Sequence, residues 1–154
     1  YFQPEISSES ATIYEHCRRA IERGSTFGPH GIPLIGGGDW NDGLNRVGIE
    51  GRGESVWLAW FAIDVLRNFA DLAQSRGDDA MAKNYRERAA TYAKNIDENC
   101  WDGEYYRRGY FDDGTPLGSA QNEEAKIDSL PQSWASITGA GDPQRRQQAM
   151  QSLE

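Results

Sequence analysis

The pattern of hydrophobic and polar positions predicts a chain built mostly from helices. The first helix is predicted to begin after a cap at Ser8 or Ser10 and to continue to about Arg23. Gly24, a residue type favoured just past a helix end, is its predicted stop. The apolar residues of this helix recur at the spacing of one helical face: Ile13, Cys17, Ala20 and Ile21. Such a face is typical of a helix that packs against a larger apolar core.

Two longer helices follow a glycine-rich segment and are predicted to form a helical hairpin. The second helix covers about residues 54–76 and is apolar nearly all round in its first half, which indicates burial on several sides. Gly77 ends it, and Asp78 or Asp79 caps the third helix, which continues to about Asn99. The buried face of the third helix is predicted to consist of Tyr85, Ala89, Tyr92 and Ile96. Because only a short turn separates the two helices, we expect them to lie side by side and antiparallel.

The periodicity changes after the third helix. Aromatic residues alternate with turn dipeptides over residues 101–114, which predicts a short β-like excursion or a structured loop. A short helix is predicted over residues 131–140. Asp142 and Pro143 have the residue types of a cap and a first helical position, and the helix they begin is predicted to continue to Glu154. Strands do not alternate with helices along the chain, so the sequence predicts an all-α fold without a parallel sheet.

The long loop over residues 25–53 holds nine of the 17 glycines, and its most informative stretch reads GGGDWNDGLN. Glycines allow positive φ angles and a close approach of the backbone to another group. The indole of Trp40 stands among Asp39, Asn41 and Asp42. This combination suits a sugar ring, whose C–H face packs on an indole while its hydroxyls bond to carboxylates and amides. The same residues also fit an Asx-rich turn with a buried tryptophan, and residue types alone favour that structural interpretation.

A carboxyl group beside an indole in a closed site could also act as a proton donor. Desolvation raises the pKa of such a carboxyl group, and a raised pKa lets it act as a general acid near neutral pH. Asp42 is the candidate for that role. Arg52 and Glu54 are candidates for lining the same cleft, although Glu54 equally suits the N-terminus of the second helix, which Ser55 can cap. The polar cluster around Glu123 fits either a solvated loop or a second part of a site.

Composition and charge exclude several other classes of function. The chain carries 16 Lys and Arg against 24 Asp and Glu, a net charge of -8, which argues against nucleic acid or an anionic membrane as partner. No apolar run reaches the roughly 18 residues of a membrane span. The glycines lack the lysine of a phosphate-binding loop, and Asp39 and Asp42 lack the spacing of a calcium loop, so we expect neither a metal nor a cofactor. Two isolated cysteines, Cys17 and Cys100, leave the compartment open.

Both ends of the chain suggest cuts within a longer polypeptide. Residues 1–5 read as the tail of an earlier segment, and the last predicted helix is still continuing at Glu154. We therefore expect residues 1–154 to be a fragment of one larger domain.

Three stretches of the chain carry motifs that can be compared with a known family. In chain order they are SSESATIYEHCRRAIERG, GGGDWNDGLNRVGIEGRGESVWLAWF and AQNEEAKIDSLPQSWASITG. Together they resemble glycoside hydrolase family 94, the inverting glycoside phosphorylases. The likeness spans roughly residues 7–150. It is strongest to the phosphorylase-like domain of cyclic β-1,2-glucan synthases and to β-1,2-oligoglucan phosphorylases, because cellobiose-type members carry Cys where this chain has Gly43. The resemblance implies a catalytic (α/α)6 barrel, of which residues 1–154 would supply under half.

The resemblance also implies roles for the residues of the DWND motif. Asp42 corresponds to the general acid that protonates the glycosidic oxygen while inorganic phosphate attacks the anomeric carbon from the opposite face. Trp40 would shape the sugar subsite beside the scissile bond, and Asp39 and Asn41 would fix the loop. The implied partners are a β-glucan oligosaccharide, phosphate as co-substrate and the rest of the parent polypeptide. A cyclic-glucan parent would lie at the inner membrane, whereas this segment is expected to make no membrane contact.

Two other functions stay open at this point. An inverting hydrolase on the same barrel needs a second carboxylate to activate water, and Glu54 and Glu123 are the candidates. A non-catalytic carbohydrate-binding segment would use its aromatic and amide side chains only to hold a sugar. Turnover that ignores phosphate would indicate the hydrolase, and binding without turnover would indicate the binding segment.

Overall fold

A computed structural model of the protein describes residue 3 and residues 5–154. Tyr1, Phe2 and Pro4, which belong to the predicted terminal tail, lie outside the described residues. Within the described part, the chain forms five α-helices: α1 (Ile13–Gly24), α2 (Val56–Ser75), α3 (Asp79–Asn99), α4 (Ser129–Thr138) and α5 (Pro143–Gln151). The predicted helical fold class is confirmed, and the arrangement is consistent with part of a helical barrel.

The hairpin of α2 and α3 forms the apolar core, and its turn has the predicted chemistry. Gly77 has a φ of 80°, and Asp78 caps α3 by accepting a hydrogen bond from the Met81 N–H at 3.2 Å. The face predicted for α3 is buried throughout, with Tyr85, Ala89, Tyr92 and Ile96 all inside. Most of the first half of α2 is buried as well, which confirms the interpretation of its unusually apolar sequence.

The first helix differs from its prediction in two ways. It begins at Ile13, because the Thr12 side chain rather than Ser8 or Ser10 accepts the capping hydrogen bond. Its predicted apolar face is not buried in the described structure, and the side chain of Ile13 is 82% exposed. Tyr14 and Ile21 are partly buried and pack against the core, and the Tyr14 ring stacks on that of Phe69 at 5.1 Å between ring centroids.

A small antiparallel sheet lies at the start of α2. Its strands run in the order β1 (Glu54–Ser55), β2 (Gly109–Tyr110) and β3 (Pro116–Leu117). The predicted β-like excursion over residues 101–114 is therefore confirmed at β2. The second helix begins at Val56, two residues after its predicted start at about Glu54, because Glu54 and Ser55 pair with β2, opposite Tyr110 and Gly109. The predicted cap at Ser55 is confirmed, since its hydroxyl accepts a hydrogen bond from the Leu58 N–H at 3.0 Å.

The last two helices begin at carboxylate caps. Asp128 caps α4 through the Leu130 N–H, so this helix begins two residues before its predicted start, and Gly139 follows its end with a φ of 62°. The final helix begins at Pro143 after the Asp142 cap, as predicted, and ends at Gln151 instead of continuing to the terminus. None of the helices in the described part of the chain is both long and apolar enough to cross a membrane.

Candidate functional site

The DWND motif forms a compact turn that its own side chains stabilise. The Asp39 Oδ1 atom accepts a hydrogen bond from the Asn41 N–H at 3.0 Å. The Asn41 side chain in turn accepts one from the Gly43 N–H at 2.9 Å, which caps a short 3-10 helix over Asp42–Leu44. Gly38, just before the motif, has a φ of 130°, a conformation that side chains other than glycine rarely adopt. The Asx-rich turn expected from the sequence is therefore present.

The tip of this turn is open to solvent. The indole of Trp40 is 70% exposed, and Asp42 is exposed as well. The sequence suggested a buried tryptophan and a carboxyl group desolvated against it. Within this chain neither expectation is met, because no element of the described residues covers the tip.

The base of the turn is, by contrast, deeply buried. The Asp39 side chain has no exposed surface, and both of its carboxylate oxygens contact the Arg108 guanidinium at 2.8 and 2.7 Å. The Ser55 hydroxyl donates a further hydrogen bond to Asp39 at 2.5 Å. Arg108 also donates to the Ser55 hydroxyl at 3.1 Å and contacts an Asp128 oxygen at 3.3 Å. Four separate segments of the chain therefore meet at one buried ion pair.

Glu54 lies on the opposite side of β1 from this ion pair, because adjacent residues of a strand face opposite ways. Its side chain is buried and forms a short hydrogen bond with Nδ1 of His30. It also accepts a hydrogen bond from the His30 backbone N–H at 2.9 Å. The His30 ring stacks on that of Tyr110, with 3.6 Å between centroids. Glu54 thus holds the beginning of the glycine-rich loop, and its sugar-binding role stays a prediction.

Arg52 belongs to a third cluster, centred on Asp112. The Arg52 side chain donates to the Asp112 backbone oxygen at 3.0 Å and pairs with Glu50 at 2.6 Å. Although partial desolvation of Asp112 opposes the shift, backbone hydrogen bonds from Glu50, Arg52 and Gly53 lower the pKa of its carboxyl group. The structure does not bring the Arg52 side chain into contact with the DWND turn, and its substrate role also stays a prediction.

A small cavity of about 160 Å³ separates the DWND turn from the segment that follows β3. Its walls include Asn41, Leu44, Arg108, Leu117, Ile127 and Asp128. The lining combines the ion pair of Arg108 and Asp128 with aliphatic side chains.

Possible metal ligands and the buried cysteine are the remaining reactive groups to compare with the site. Within residue 3 and residues 5–154, no group of three His, Cys, Asp or Glu side chains is placed to hold a metal ion. Burial raises the pKa of the Cys100 thiol far above its ordinary value, which keeps this thiol protonated and unreactive.

Two residues that stabilise this region, Arg108 and His30, were not predicted from the sequence. Arg108 follows Arg107 in an aromatic segment, where it suggests a solvated turn, yet only 2% of its surface is exposed. An arginine flanked by aromatic residues is a usable signal, because a buried arginine needs a carboxylate partner. His30 lies between Pro29 and Gly31, and nothing in that local pattern indicates its distant partner.

Comparison with known proteins agrees with the motifs at this site. A family model described as the catalytic domain of the glycosyl hydrolase 94 superfamily matches residues 3–154. Cyclic beta-(1,2)-glucan synthase NdvB of Rhizobium meliloti (strain 1021) is 45% identical over 99% of this chain and 5% of its own length.

Two phosphorylases of Paenibacillus borealis are also similar. The 3-O-beta-D-glucopyranosyl-beta-D-glucuronide phosphorylase is 38% identical over 96% of this chain. Solabiose phosphorylase is 33% identical over 98% of it. The chain spans 19% and 20% of the lengths of these two relatives. The match over nearly all the residues shows that the chain belongs to the glycosyl hydrolase 94 superfamily.

Proposed function

We propose that this chain is part of the catalytic domain of an inverting glycoside phosphorylase that acts on β-linked glucans. Membership of the glycosyl hydrolase 94 superfamily supports the reaction class, since several relatives are named as phosphorylases. The relatives are named for different sugars, so the choice of substrate rests on the relative that is 45% identical to this chain. That relative is a cyclic β-(1,2)-glucan synthase, which favours a β-1,2-linked glucan.

In the proposed reaction, Asp42 is the general acid. The bond between the anomeric carbon and the glycosidic oxygen breaks, and the proton of Asp42 passes to that oxygen. An oxygen of inorganic phosphate forms the new bond to the anomeric carbon from the opposite face, which inverts its configuration and releases glucose 1-phosphate. The observation that carries this role is the shape of the DWND turn: its base is fixed by buried contacts while Asp42 projects from its tip.

The contacts of Asp39 and Glu54 argue against either of them acting as the base of an inverting hydrolase. An inverting hydrolase needs a second carboxylate that is free to activate water. Asp39 is fully paired with Arg108 and Ser55, and the Glu54 carboxylate is bonded to His30. A phosphorylase needs no such base, because phosphate already carries the charge and the nucleophilic oxygen.

The exposed tip of the DWND turn fits the same proposal as a surface that binds the sugar. Trp40 offers an open indole face on which a glucose ring can pack. A sugar bound there, together with the remaining polypeptide of a longer protein, would exclude water from the surroundings of Asp42.

The test is Asp42→Asn in the full-length protein, assayed with β-1,2-glucan oligosaccharides and phosphate. Loss of a general acid lowers turnover by about 10²- to 10⁴-fold, so we expect release of glucose 1-phosphate to fall by that factor. Retention of turnover in Asp42→Asn would exclude Asp42 as the acid.

Two controls separate the alternatives. Glu123→Gln should leave phosphorolysis unchanged, because Glu123 is exposed and has no part in the proposed step. Omission of phosphate should stop turnover of the unmodified protein. Sugar release that persists without phosphate and disappears in Glu123→Gln or Glu54→Gln would indicate the hydrolase, and sugar binding without turnover would indicate a binding segment.

A further inference from the structure

The buried ion pair beneath the DWND turn suggests a role for a residue that lies far from the motif in sequence. We propose that Arg108 is a positioning residue for Asp42, and this inference rests on the proposed function of Asp42 as general acid. Arg108 touches neither Asp42 nor the exposed face of Trp40 in the described contacts. It acts through Asp39, three residues before the acid: its Nη2 atom donates a hydrogen bond to Asp39 Oδ1 at 2.8 Å and lies 2.7 Å from Oδ2.

The geometry of the ion pair suits orientation as well as attraction. Both contacts to Asp39 come from one guanidinium nitrogen, Nη2, while Nη1 donates to Ser55 and Nε contacts Asp128. Because the guanidinium is a rigid planar fork, the contacts of Nη1 and Nε fix the direction in which Nη2 meets the Asp39 carboxylate. The Asp39 carboxylate has little freedom left, because the Ser55 hydroxyl binds the same group. Arg108 is itself held by Ser55 and Asp128, at the starts of α2 and α4.

Orientation can pass from Asp39 to Asp42 through two local contacts. The Asp39 Oδ1 atom accepts the Asn41 N–H, which fixes the peptide just before Asp42. The Asn41 side chain accepts the Gly43 N–H, which fixes the peptide just after it. Asp42 therefore stands between two peptide groups whose directions both depend on the anchored carboxylate. A displacement of about 1 Å at a reacting group costs about 10²-fold in rate, so loss of the anchor affects turnover strongly.

The cavity beside Arg108 provides a sharp test. Truncation of Arg108 to alanine would join the space of its side chain to the neighbouring cavity of about 160 Å³. A free guanidinium ion fits such a space and carries the same planar fork, so it can replace the lost group without restoring the covalent link.

The experiment uses the full-length protein with the variants Arg108→Ala and Arg108→Lys, and Arg107→Ala as the matched control. Arg107 is the adjacent arginine and forms its own ion pair, with Asp102 at 2.7 Å, outside the DWND network. In the phosphorolysis assay we expect Arg108→Ala to lower kcat by about 10²-fold with KM for the glucan within about two-fold. Arg108→Lys should lower kcat by a smaller factor, and Arg107→Ala should not change it.

Guanidinium ion, added far below its denaturing concentration, should restore much of the kcat of Arg108→Ala and leave that of Arg107→Ala unchanged. The inference is overturned by an unchanged kcat in Arg108→Ala, by a rise in KM alone, or by a loss that guanidinium does not restore. If Arg108→Ala does not fold, the contrast between Arg108→Lys and the unmodified protein decides, because lysine keeps the charge but loses the fork.

Hydrogen–deuterium exchange separates this inference from the proposed function. If the anchor exists, amide exchange over residues 36–46 rises in Arg108→Lys and stays unchanged in Arg107→Ala, whether or not the protein carries out phosphorolysis. Increased exchange with Asp42→Asn still active would overturn the acid role and keep the anchor. Unchanged exchange would overturn the anchor and leave the acid role standing.

Discussion

In the α2–α3 hairpin, the helices meet through apolar side chains such as Ile63, Leu66 and Ile96, all of them buried. In the glycine-rich loop over residues 25–53, many of the buried contacts are polar, and single carboxylates such as that of Asp39 connect distant segments. Apolar contacts have no preferred direction, so neighbouring side chains can repack when one of them changes. Hydrogen bonds are directional, so the shape of the loop depends on individual atoms.

Replacing a tryptophan should change the free energy of unfolding far more in the hairpin than in the loop, and this is the largest contrast that we expect. Trp60 has no exposed surface and packs edge-on against Tyr106, whereas Trp40 is 70% exposed at the tip of the loop. We expect Trp60→Ala to lower the free energy of unfolding by about 3–5 kcal/mol, because it leaves a cavity in the core. Trp40→Ala should change it by less than about 0.5 kcal/mol. Urea unfolding measures both values, and similar losses for the two variants would contradict the contrast.

Glycine substitutions test the same contrast within the loop. A Cβ atom on Gly53 would lie 2.3 Å from the backbone oxygen of Val47, a contact that only a backbone shift can relieve. Gly53→Ala should therefore cost about 1–3 kcal/mol of stability. The matched variant is Gly37→Ala, where a Cβ atom meets no described atom within 4 Å and φ lies outside the left-handed region. It should be neutral or stabilise by up to about 1 kcal/mol. A loss at Gly37 as large as that at Gly53 would show that unseen contacts shape the loop.

The smallest expected effect concerns the contact that joins the hairpin to the loop. The Tyr92 hydroxyl of α3 donates a hydrogen bond to the Thr26 backbone oxygen at 2.8 Å. Tyr92→Phe should lower the free energy of unfolding by about 1 kcal/mol at neutral pH. The matched control is Tyr85→Phe, since the buried Tyr85 hydroxyl has no hydrogen-bond partner among the described residues. That change should be neutral or slightly stabilising.

The pH dependence of these two variants follows from the tyrosine pKa values. Burial raises the pKa of Tyr92, and likewise that of Tyr85, from 10.0 to about 12. Above pH 10 the unfolded chain loses a proton that the folded chain keeps, so each tyrosine lowers stability by up to ~1.4 kcal/mol per pH unit until about pH 12. Each phenylalanine variant lacks this loss. The deficit of Tyr92→Phe should therefore vanish as pH rises past about 10. Urea midpoints at neutral and alkaline pH measure this, and a deficit independent of pH would contradict it.

Local sequence patterns were sufficient to predict the hairpin. The apolar face of α3, the turn at Gly77 and the cap at Asp142 all depend on neighbours within a few residues, and all are confirmed. The start of α1 was predicted wrongly because several hydroxyl side chains compete for the cap, and only the fold selects Thr12.

The contacts of the loop could not be predicted in the same way. Arg108 and Asp39 are 69 positions apart, and periodicity carries no information about which distant charge neutralises which. The exposure of Trp40 was missed for a related reason. A tryptophan beside carboxylates indicates that a surface covers it, but the sequence does not say whether this chain supplies that surface.

The hydroxyl of Ser55 forms hydrogen bonds in two parts of the molecule at once. It caps α2 through Leu58 and, with the same oxygen, donates a hydrogen bond to Asp39 beneath the DWND turn. The motif therefore depends on residues outside it and cannot be transferred alone. An engineer who grafted GGGDWNDGLN onto another helical scaffold would transfer Asp42 without the contacts that support its turn, and would have to transplant Ser55 and Arg108 in register as well.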